Sequence, residues 1–108
     1  MPAVFILNRG PHDYTDAANF GSLVFCTEGV LDKSDVLGMR RALEEHLQDS
    51  EPEDYILLGS LTSLCCVACS IMVALHGELH LLIHTGSHYI DRSLHFHNQP
   101  YTQEYLRG

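Results

Sequence analysis

Basic residues are scarce in this chain, which has 6 Lys and Arg against 14 Asp and Glu among its 108 residues. The formal net charge of −8 repels a phosphate backbone, so we do not expect extended binding to DNA or RNA. Long apolar runs are also missing, since the nearest, Leu61 to Leu75, is too short to cross a bilayer. The N-terminus lacks the basic flank that precedes the apolar part of a signal peptide. These absences predict a cytosolic protein without membrane contact.

Cysteines number only four, and their positions do not suit a disulfide framework. Cys65, Cys66 and Cys69 fall within one predicted helix, which is consistent with a reducing compartment. The last two have the C-x-x-C spacing of redox motifs. Inside an apolar helix, however, cysteine usually packs as a small hydrophobe, so we predict core packing rather than a redox role.

The eight histidines do not form a convincing set of metal ligands. His80 and His84 share one face of a predicted strand but lie about 13 Å apart at the usual strand rise. His95 and His97 are closer in sequence, yet no third ligand accompanies them. We therefore predict surface histidines, with no metal ion and no cofactor.

Short β-leaning runs alternate with helical patterns, which predicts a single α/β domain over residues 1–108. The expected fold is a three-layer Rossmann-like sheet with parallel first strands and a C-terminal antiparallel hairpin. The predicted strands are Ala3–Leu7, Leu23–Cys26, Tyr55–Leu58, Leu79–His84 and His88–Leu94. No periodicity follows His95, so residues 95–108 are expected to form an extended or disordered tail.

Two helices are predicted between these strands, and each begins near residues that commonly cap helices. Asp32 or Ser34 is the expected N-cap of the first helix, and Ser60 or Thr62 that of the second. The first helix repeats apolar residues at helical spacing over positions 36–47.

The second helix, over residues 62–75 and ending at Gly77, is apolar nearly all round. An amphipathic surface helix would carry a charged face, so this composition indicates burial on more than one side. In so small a domain, that predicts packing against the sheet and against another chain. We therefore expect a homo-oligomer formed through this helix.

Polar residues follow three of the predicted strands, at the edge where parallel α/β sheets bind ligands. These candidate ligand-binding residues are Asn8, Arg9, His12, Asp13 and Tyr14 after the first strand, Thr27 and Glu28 after the second, and Gly59, Ser60, Thr62 and Ser63 after the third. The start of the second helix offers free N–H groups and the positive end of a helix dipole, which suit a phosphate or carboxylate.

Arg9 is the natural partner for such an anion, because its planar guanidinium binds phosphate through two hydrogen bonds. Tyr14 could stack on a base or simply cover the edge of the sheet. Alternative roles remain open for both regions: Arg9 could form a surface ion pair with Asp13 or Glu28, and the hydroxyls at positions 60–63 could serve only as helix caps.

Catalysis is an alternative to simple binding. His12 beside Asp13 could act as a general base, with Glu28 as another candidate. Adjacent residues seldom orient one another as a catalytic pair, and no nucleophile stands out. Binding without turnover is therefore the favoured interpretation.

Three segments resemble small uncharacterised proteins encoded by tailed bacteriophages: NRGPHDYTDAANFG at positions 8–21, DYILLGSLTS at 54–63 and YIDR at 89–92. The resemblance covers most of the chain and implies no particular function. Positions 9–16 are also loosely similar to the SLOG group of Rossmann-like nucleotide sensors, in which a strand leads into a Gly-Arg-Asp-Tyr-Thr-Asp-like segment. The second glycine-rich loop of that group is replaced here by Gly59-Ser-Leu-Thr-Ser.

Together these resemblances imply a phage protein that binds a small phosphate-bearing ligand, with sequestration of a nucleotide immune signal of the host as one purpose. Two other functions stay open. The chain would be a nucleotide-processing enzyme if His12 or Glu28 acts catalytically, or a protein–protein inhibitor of a host factor that uses its acidic or oligomeric surface.

Overall fold

The structure is a computed structural model that describes residues 1–96. Five strands and two helices form a mixed α/β domain, which confirms the predicted fold class. In chain order they are β1 (Ala3–Ile6), a short 3-10 turn (Ala17–Asn19), β2 (Ser22–Phe25), α1 (Val36–Leu47), β3 (Tyr55–Leu57), α2 (Thr62–His76), β4 (Glu78–Thr85) and β5 (His88–His95).

The strands form one sheet in the order β2-β1-β3-β4-β5. Strands β1 to β4 are parallel to one another, and β5 pairs antiparallel with β4 through a tight hairpin. Gly86 occupies the hairpin loop at a φ of 65°, a conformation that glycine adopts without strain. Parallel first strands and a C-terminal hairpin are therefore both confirmed.

The connections that follow β1 and β3 run in opposite directions across the sheet. After β1 the chain crosses outward to β2, whereas after β3 it crosses the other way to β4. Neighbouring strands whose connections leave in opposite directions create a crevice beyond their carboxyl ends, called a topological switch point. This crevice is the natural place to look for a ligand site.

Both helices pack on the same face of the sheet, here called the helical face. Alternate strand residues such as Phe5 and Ile56 point to this face and meet the buried sides of α1 and α2. The buried helix residues recur at helical spacing and are Met39, Leu43 and Leu47 in α1 and Leu64, Ala68 and Met72 in α2. They enclose a continuous apolar core.

The opposite face, here called the open face, has a much thinner cover. Its buried strand residues are Val4, Ile6, Leu57 and Leu82, and they pack against the segment from Tyr14 to Phe20. Ala17 in the 3-10 turn is the fully buried residue of that segment. The third layer is therefore a single short stretch of chain rather than a helix.

The helix caps differ from those predicted. The N-cap of α1 is Asp35, whose Oδ1 accepts a hydrogen bond from the Gly38 N–H at 3.0 Å. The predicted residues lie three positions and one position earlier, where Asp32 instead accepts hydrogen bonds from the backbone and side chain of Ser34. Asp32 and Ser34 thus form a local turn, and Asp35 is the residue that caps the helix.

The N-cap of α2 is Leu61, which makes no side-chain capping hydrogen bond, so neither Ser60 nor Thr62 serves as the predicted cap. The other end agrees with the prediction, because Gly77 adopts the left-handed conformation at a φ of 69° and ends the helix. The hydroxyls near residue 60 are consequently not committed to capping.

One buried carboxylate connects the N-terminal strand to the loop before β3. Asp54 is 5% exposed, and it accepts hydrogen bonds from the backbone N–H groups of Ala3 at 2.9 Å and Glu51 at 2.8 Å. The same end of the sheet has a close approach at Gly21, next to Ser22, whose N–H donates to the Pro2 carbonyl at 2.9 Å.

The predicted tail begins within the sheet. His95 belongs to β5, and the Phe96 N–H donates a hydrogen bond of 2.8 Å to the Gly77 carbonyl. The remainder of the predicted tail, residues 97–108, lies outside the described residues, as does the His97 considered for a metal site.

Candidate functional site

A cleft of about 310 Å³ opens beyond the carboxyl ends of β1 and β3, at the switch point of the sheet. It lies toward the open face. Its lining residues are Ile6, Asn8, His12, Asp13, Tyr14, Leu57, Leu58, Gly59, Ser60, His84 and Tyr89. Six of them are residues that the sequence singled out, namely Asn8, His12, Asp13, Tyr14, Gly59 and Ser60.

Tyr14 forms one wall of this cleft and is held in place from two directions. Its hydroxyl accepts a hydrogen bond from the Gly10 N–H at 3.0 Å. Its ring meets Phe25 edge-on, with the two centroids 5.6 Å apart. A ring fixed at both its hydroxyl and its edge is a preorganised contact surface for a ligand.

Asn8 is fixed at the back of the same loop. Its side-chain amide donates to the Gly29 carbonyl at 3.1 Å, and its oxygen accepts from the Thr27 hydroxyl at 3.0 Å. The Thr27 hydroxyl also lies 2.6 Å from the Leu7 carbonyl. Thr27 therefore positions the end of β1 and does not itself line the cleft.

Asp13 supplies a negative charge at the rim. Its Oδ1 accepts hydrogen bonds from the hydroxyl and, at 2.9 Å, from the backbone N–H of Thr15. These two bonds hold the pKa of Asp13 below its ordinary value, so the group is ionised at neutral pH. The neighbouring His12 is exposed, and its ring lies edge-on to Tyr14 at 6.3 Å between centroids.

His84 and Tyr89 complete the cleft, and sequence reasoning missed both. They are cross-strand partners at the end of the hairpin, with ring centroids 5.0 Å apart. Burial raises the pKa of Tyr89, and the negative charges of Asp16 and Asp13 add to the effect. The sequence did contain a signal for these two residues. A fourth strand parallel to β3 would bring the C-terminal residues of that fourth strand to the same edge of the sheet.

Arg9 lies outside the cleft. The centre of its guanidinium is 3.8 Å from the centroid of the Phe25 ring, a cation–π contact. Its backbone N–H donates to the Thr27 carbonyl at 2.8 Å, and a parallel bridge joins it to Glu28. Arg9 and Glu28 thus extend the β1–β2 pairing beyond the strands.

The remaining predicted residues also fall outside the lining. Glu28 and Thr62 are exposed. The Ser63 hydroxyl donates to the Lys33 carbonyl at 2.8 Å. Thr27 borders a separate cavity of about 180 Å³ beneath the start of α1. The structure therefore groups the β1 loop with Gly59 and Ser60, but it separates them from the residues after β2 and from the first turn of α2.

A second concavity lies on the outer side of the two helices, here called the helix groove. It measures about 600 Å³ and is lined by Val36, Leu37, Arg40, Glu44, Gln48, Cys66, Val67, Ser70, Ile71, Ala74 and Leu75. The Arg40–Glu44 ion pair at 2.6 Å supplies the charged groups of its lining.

Burial raises the pKa of the nearby Cys69 thiol to about 11, which argues against a reactive C-x-x-C pair.

Among residues 1–96, no cluster of three or more His, Cys, Asp or Glu side chains is arranged to hold a metal ion. Neither helix of the described part of the chain has the length and apolarity that crossing a membrane requires.

The chain matches the protein-family model described as phage Pam3 gp32-like protein over residues 2–96. This chain belongs to that family. The match spans every strand and helix described above and confirms the resemblance to small phage proteins. Curated proteins and solved structures gave no match. Similarity to the SLOG group stays a prediction.

Proposed function

We propose that this member of the phage Pam3 gp32-like family binds a small phosphate-bearing ligand of nucleotide size in the switch-point cleft. The observation that carries the proposal is the position of the cleft. Polar side chains from the β1 loop, the β3–α2 loop and the hairpin line it, and it opens where α/β sheets most often hold ligands.

The proposed arrangement divides the ligand between two parts of the cleft. The anionic group lies at the rim of the cleft beside Gly59 and Ser60, in the loop between β3 and α2. His12 and Tyr14 contact the remainder. Arg9 takes no part in this arrangement, because its guanidinium is stacked on Phe25.

A panel of cyclic and linear nucleotides, screened by thermal shift and followed by calorimetry, tests the proposal. We expect at least one nucleotide to raise the melting temperature. Ser60→Ala should weaken its binding about threefold, because the Ser60 hydroxyl contacts a phosphate that stays at the open rim. Arg9→Ala is the matched control and should bind normally. A flat response across the whole panel would contradict the proposal.

We further propose that the ligand is sequestered rather than converted, in the cytoplasm of the phage's host, and that it is a nucleotide immune signal. Two observations favour binding over catalysis. Asp13 is engaged by Thr15 rather than by His12, and Glu28 lies outside the cleft, so no carboxylate among residues 1–96 pairs with His12 there. Chromatography of the nucleotide after incubation should recover it intact. If the wild-type protein converts the nucleotide into a product and His12→Ala does not, the protein is instead an enzyme.

A second copy of the chain is the proposed occupant of the helix groove. The α2 segment that borders it contains no Asp, Glu, Lys or Arg, and Leu75 remains 51% exposed in the single chain. In a two-fold arrangement, Arg40 of each copy would approach Glu44 of the other, so the same patch complements itself.

Sedimentation of the wild-type protein should show an oligomer, and Leu75→Glu should shift it to monomer. Leu94→Glu is a close control, because Leu94 is 53% exposed but does not line the groove. A monomeric wild-type protein would contradict the proposal. Stoichiometric capture of one bacterial protein, lost in Leu75→Glu, would favour the alternative of a host-factor inhibitor.

A further inference from the structure

Building on the proposed binding function, we infer that the part of the ligand buried in the cleft is an uncharged heteroaromatic ring. This ring packs against Tyr14 and Tyr89 and supplies most of the binding energy, whereas the phosphate remains at the solvent-exposed rim. The site is then a nucleoside site to which a phosphate adds little.

The first argument is the aromatic walls. Tyr14 comes from the β1 loop and Tyr89 from the hairpin, and both line the cleft and pack on the same apolar cluster of the open face. Tyr14 is fixed by Gly10 and Phe25, and Tyr89 is fixed edge-on against His84. Rings held in this way offer stacking surface to a planar ligand, and each stacked base raises affinity by about five- to 150-fold.

The second argument is charge. The described part of the chain places no Lys or Arg in the cleft lining, and Arg9 is engaged with Phe25. Asp13 meanwhile contributes a carboxylate whose pKa is lowered by its bonds from Thr15. A phosphate buried beside that charge would be repelled without a compensating cation, so the interior of the cleft suits a neutral group.

The third argument is the distribution of polar atoms and the size of the site. Ile6, Leu57 and Leu58 provide an apolar floor on which a ring can rest. Both hydrogen bonds from Thr15 go to Oδ1 of Asp13, which leaves Oδ2 for a ring N–H donor. A volume of about 310 Å³ is at the lower end for ligand pockets and suits one nucleoside rather than a dinucleotide.

Calorimetry with three classes of probe tests the inference: the four ribonucleosides, their 5′-monophosphates and inorganic phosphate. We expect one nucleoside to bind within about threefold of its own monophosphate, and inorganic phosphate to give no signal. Tyr89→Ala should lower the affinity for that nucleoside by about tenfold or more, as expected for one lost stacking contact.

Three variants separate stacking from stability. Tyr89→Phe keeps the ring and should retain binding, whereas Tyr89→Leu keeps apolar bulk without the ring and should lose it. Tyr55→Phe alters a tyrosine on the same sheet face that does not line the cleft, and it should bind normally. Together they keep the test informative if Tyr89→Ala does not fold.

The outcomes distinguish this inference from the function on which it rests. A monophosphate that binds more than about threefold tighter than its nucleoside, or that binds Tyr89→Leu as well as wild type, would overturn the inference and leave the proposed function intact. If no nucleoside, nucleotide or phosphate binds, both are overturned.

Discussion

The two faces of the sheet are covered by unequal layers, and the candidate ligand site lies on the thinner side. On the helical face, α1 and α2 enclose a continuous core that includes Leu43, Leu47 and Leu64, all fully buried. On the open face, a segment of seven residues from Tyr14 to Phe20 covers a smaller cluster. One face therefore serves mainly for stability, whereas the other leaves strand-end side chains accessible to a ligand.

Aromatic contacts extend the thin cover sideways across the open face. Phe20 meets Tyr55 at 5.9 Å between centroids, Tyr55 meets His80 at 6.1 Å, and His80 meets His95 at 5.9 Å, each edge-on. Rings with polar atoms can cover a sheet while touching water, which aliphatic side chains do less well. The open face is thus a partly wet surface rather than a second core.

Truncating neighbouring residues of β3 gives the most direct comparison of the two faces. Ile56 points to the helical face and Leu57 to the open face. We expect Ile56→Ala to lower the free energy of unfolding by about 4 kcal/mol and Leu57→Ala by about 2–3 kcal/mol. The second loss is smaller because Leu57 borders the cleft, where the cavity can fill with water. Urea denaturation measures both, and equal losses would contradict the proposed asymmetry.

The next largest loss of stability is expected at Gly21, where the segment that covers the open face leads into β2. A Cβ at Gly21 would lie 2.9 Å from the Pro2 carbonyl carbon and closer still to its oxygen. Gly21→Ala should therefore cost about 2 kcal/mol, because the backbone must shift.

Gly10→Ala is the control for that prediction. Its Cβ would meet the flexible His12 ring at 3.3 Å, so we expect a change in unfolding free energy within about 0.5 kcal/mol. Thermal unfolding of both variants checks the pair, and a Gly21→Ala protein as stable as Gly10→Ala would show that the close approach is unimportant.

A smaller effect is expected at Thr27, which supports the cleft from outside it. Thr27→Val removes the hydroxyl that bonds Leu7 and Asn8 while keeping the side-chain shape. We expect a loss of about 1 kcal/mol in unfolding free energy, typical of one hydrogen bond. Ligand affinity should fall as well if Asn8 contributes to binding, and an unchanged stability would argue that water replaces the hydroxyl.

The smallest expected effect is a pH-dependent change in stability caused by Glu78, at the start of β4. The hydrogen bond from His80, at 3.0 Å, lowers the pKa of Glu78 below its ordinary 4.5, with smaller effects of His95 and His76. A carboxylate with a lowered folded-state pKa stabilises the protein above its unfolded-state pKa, and this contribution is lost as pH falls through the folded-state value.

Wild-type stability should therefore decline more steeply than that of Glu78→Gln below about pH 4.5. The difference will be small and salt-sensitive, because the pair is near the surface. Melting temperatures of both proteins between about pH 3 and pH 6 check it, and parallel curves would show that Glu78 does not contribute.

Much of the fold could be predicted from local patterns. Apolar repeats gave α1, Gly77 marked the end of α2, and the short β-rich runs gave the strands, because each depends on neighbours within a few residues. The N-cap of α1 was predicted wrongly, since Asp32 and Asp35 are both good caps and only the geometry of the preceding turn decides between them.

The candidate site could be predicted only in part. Asn8 to Tyr14 and Gly59 to Ser60 end neighbouring strands, so strand order brings them together. The position of Arg9 could not be predicted, because it depends on the Phe25 ring from another strand. His84 and Tyr89 were missed because their role depends on where the hairpin joins the sheet.

The sequence by itself determined which segments become strands and helices, and that polar residues follow the strand ends, because these properties are set by short-range periodicity and turn chemistry. Tertiary structure decided which of those polar residues share one cleft. That choice depends on the order of the strands and on the face to which each side chain points, and both are fixed by packing between residues far apart in the chain.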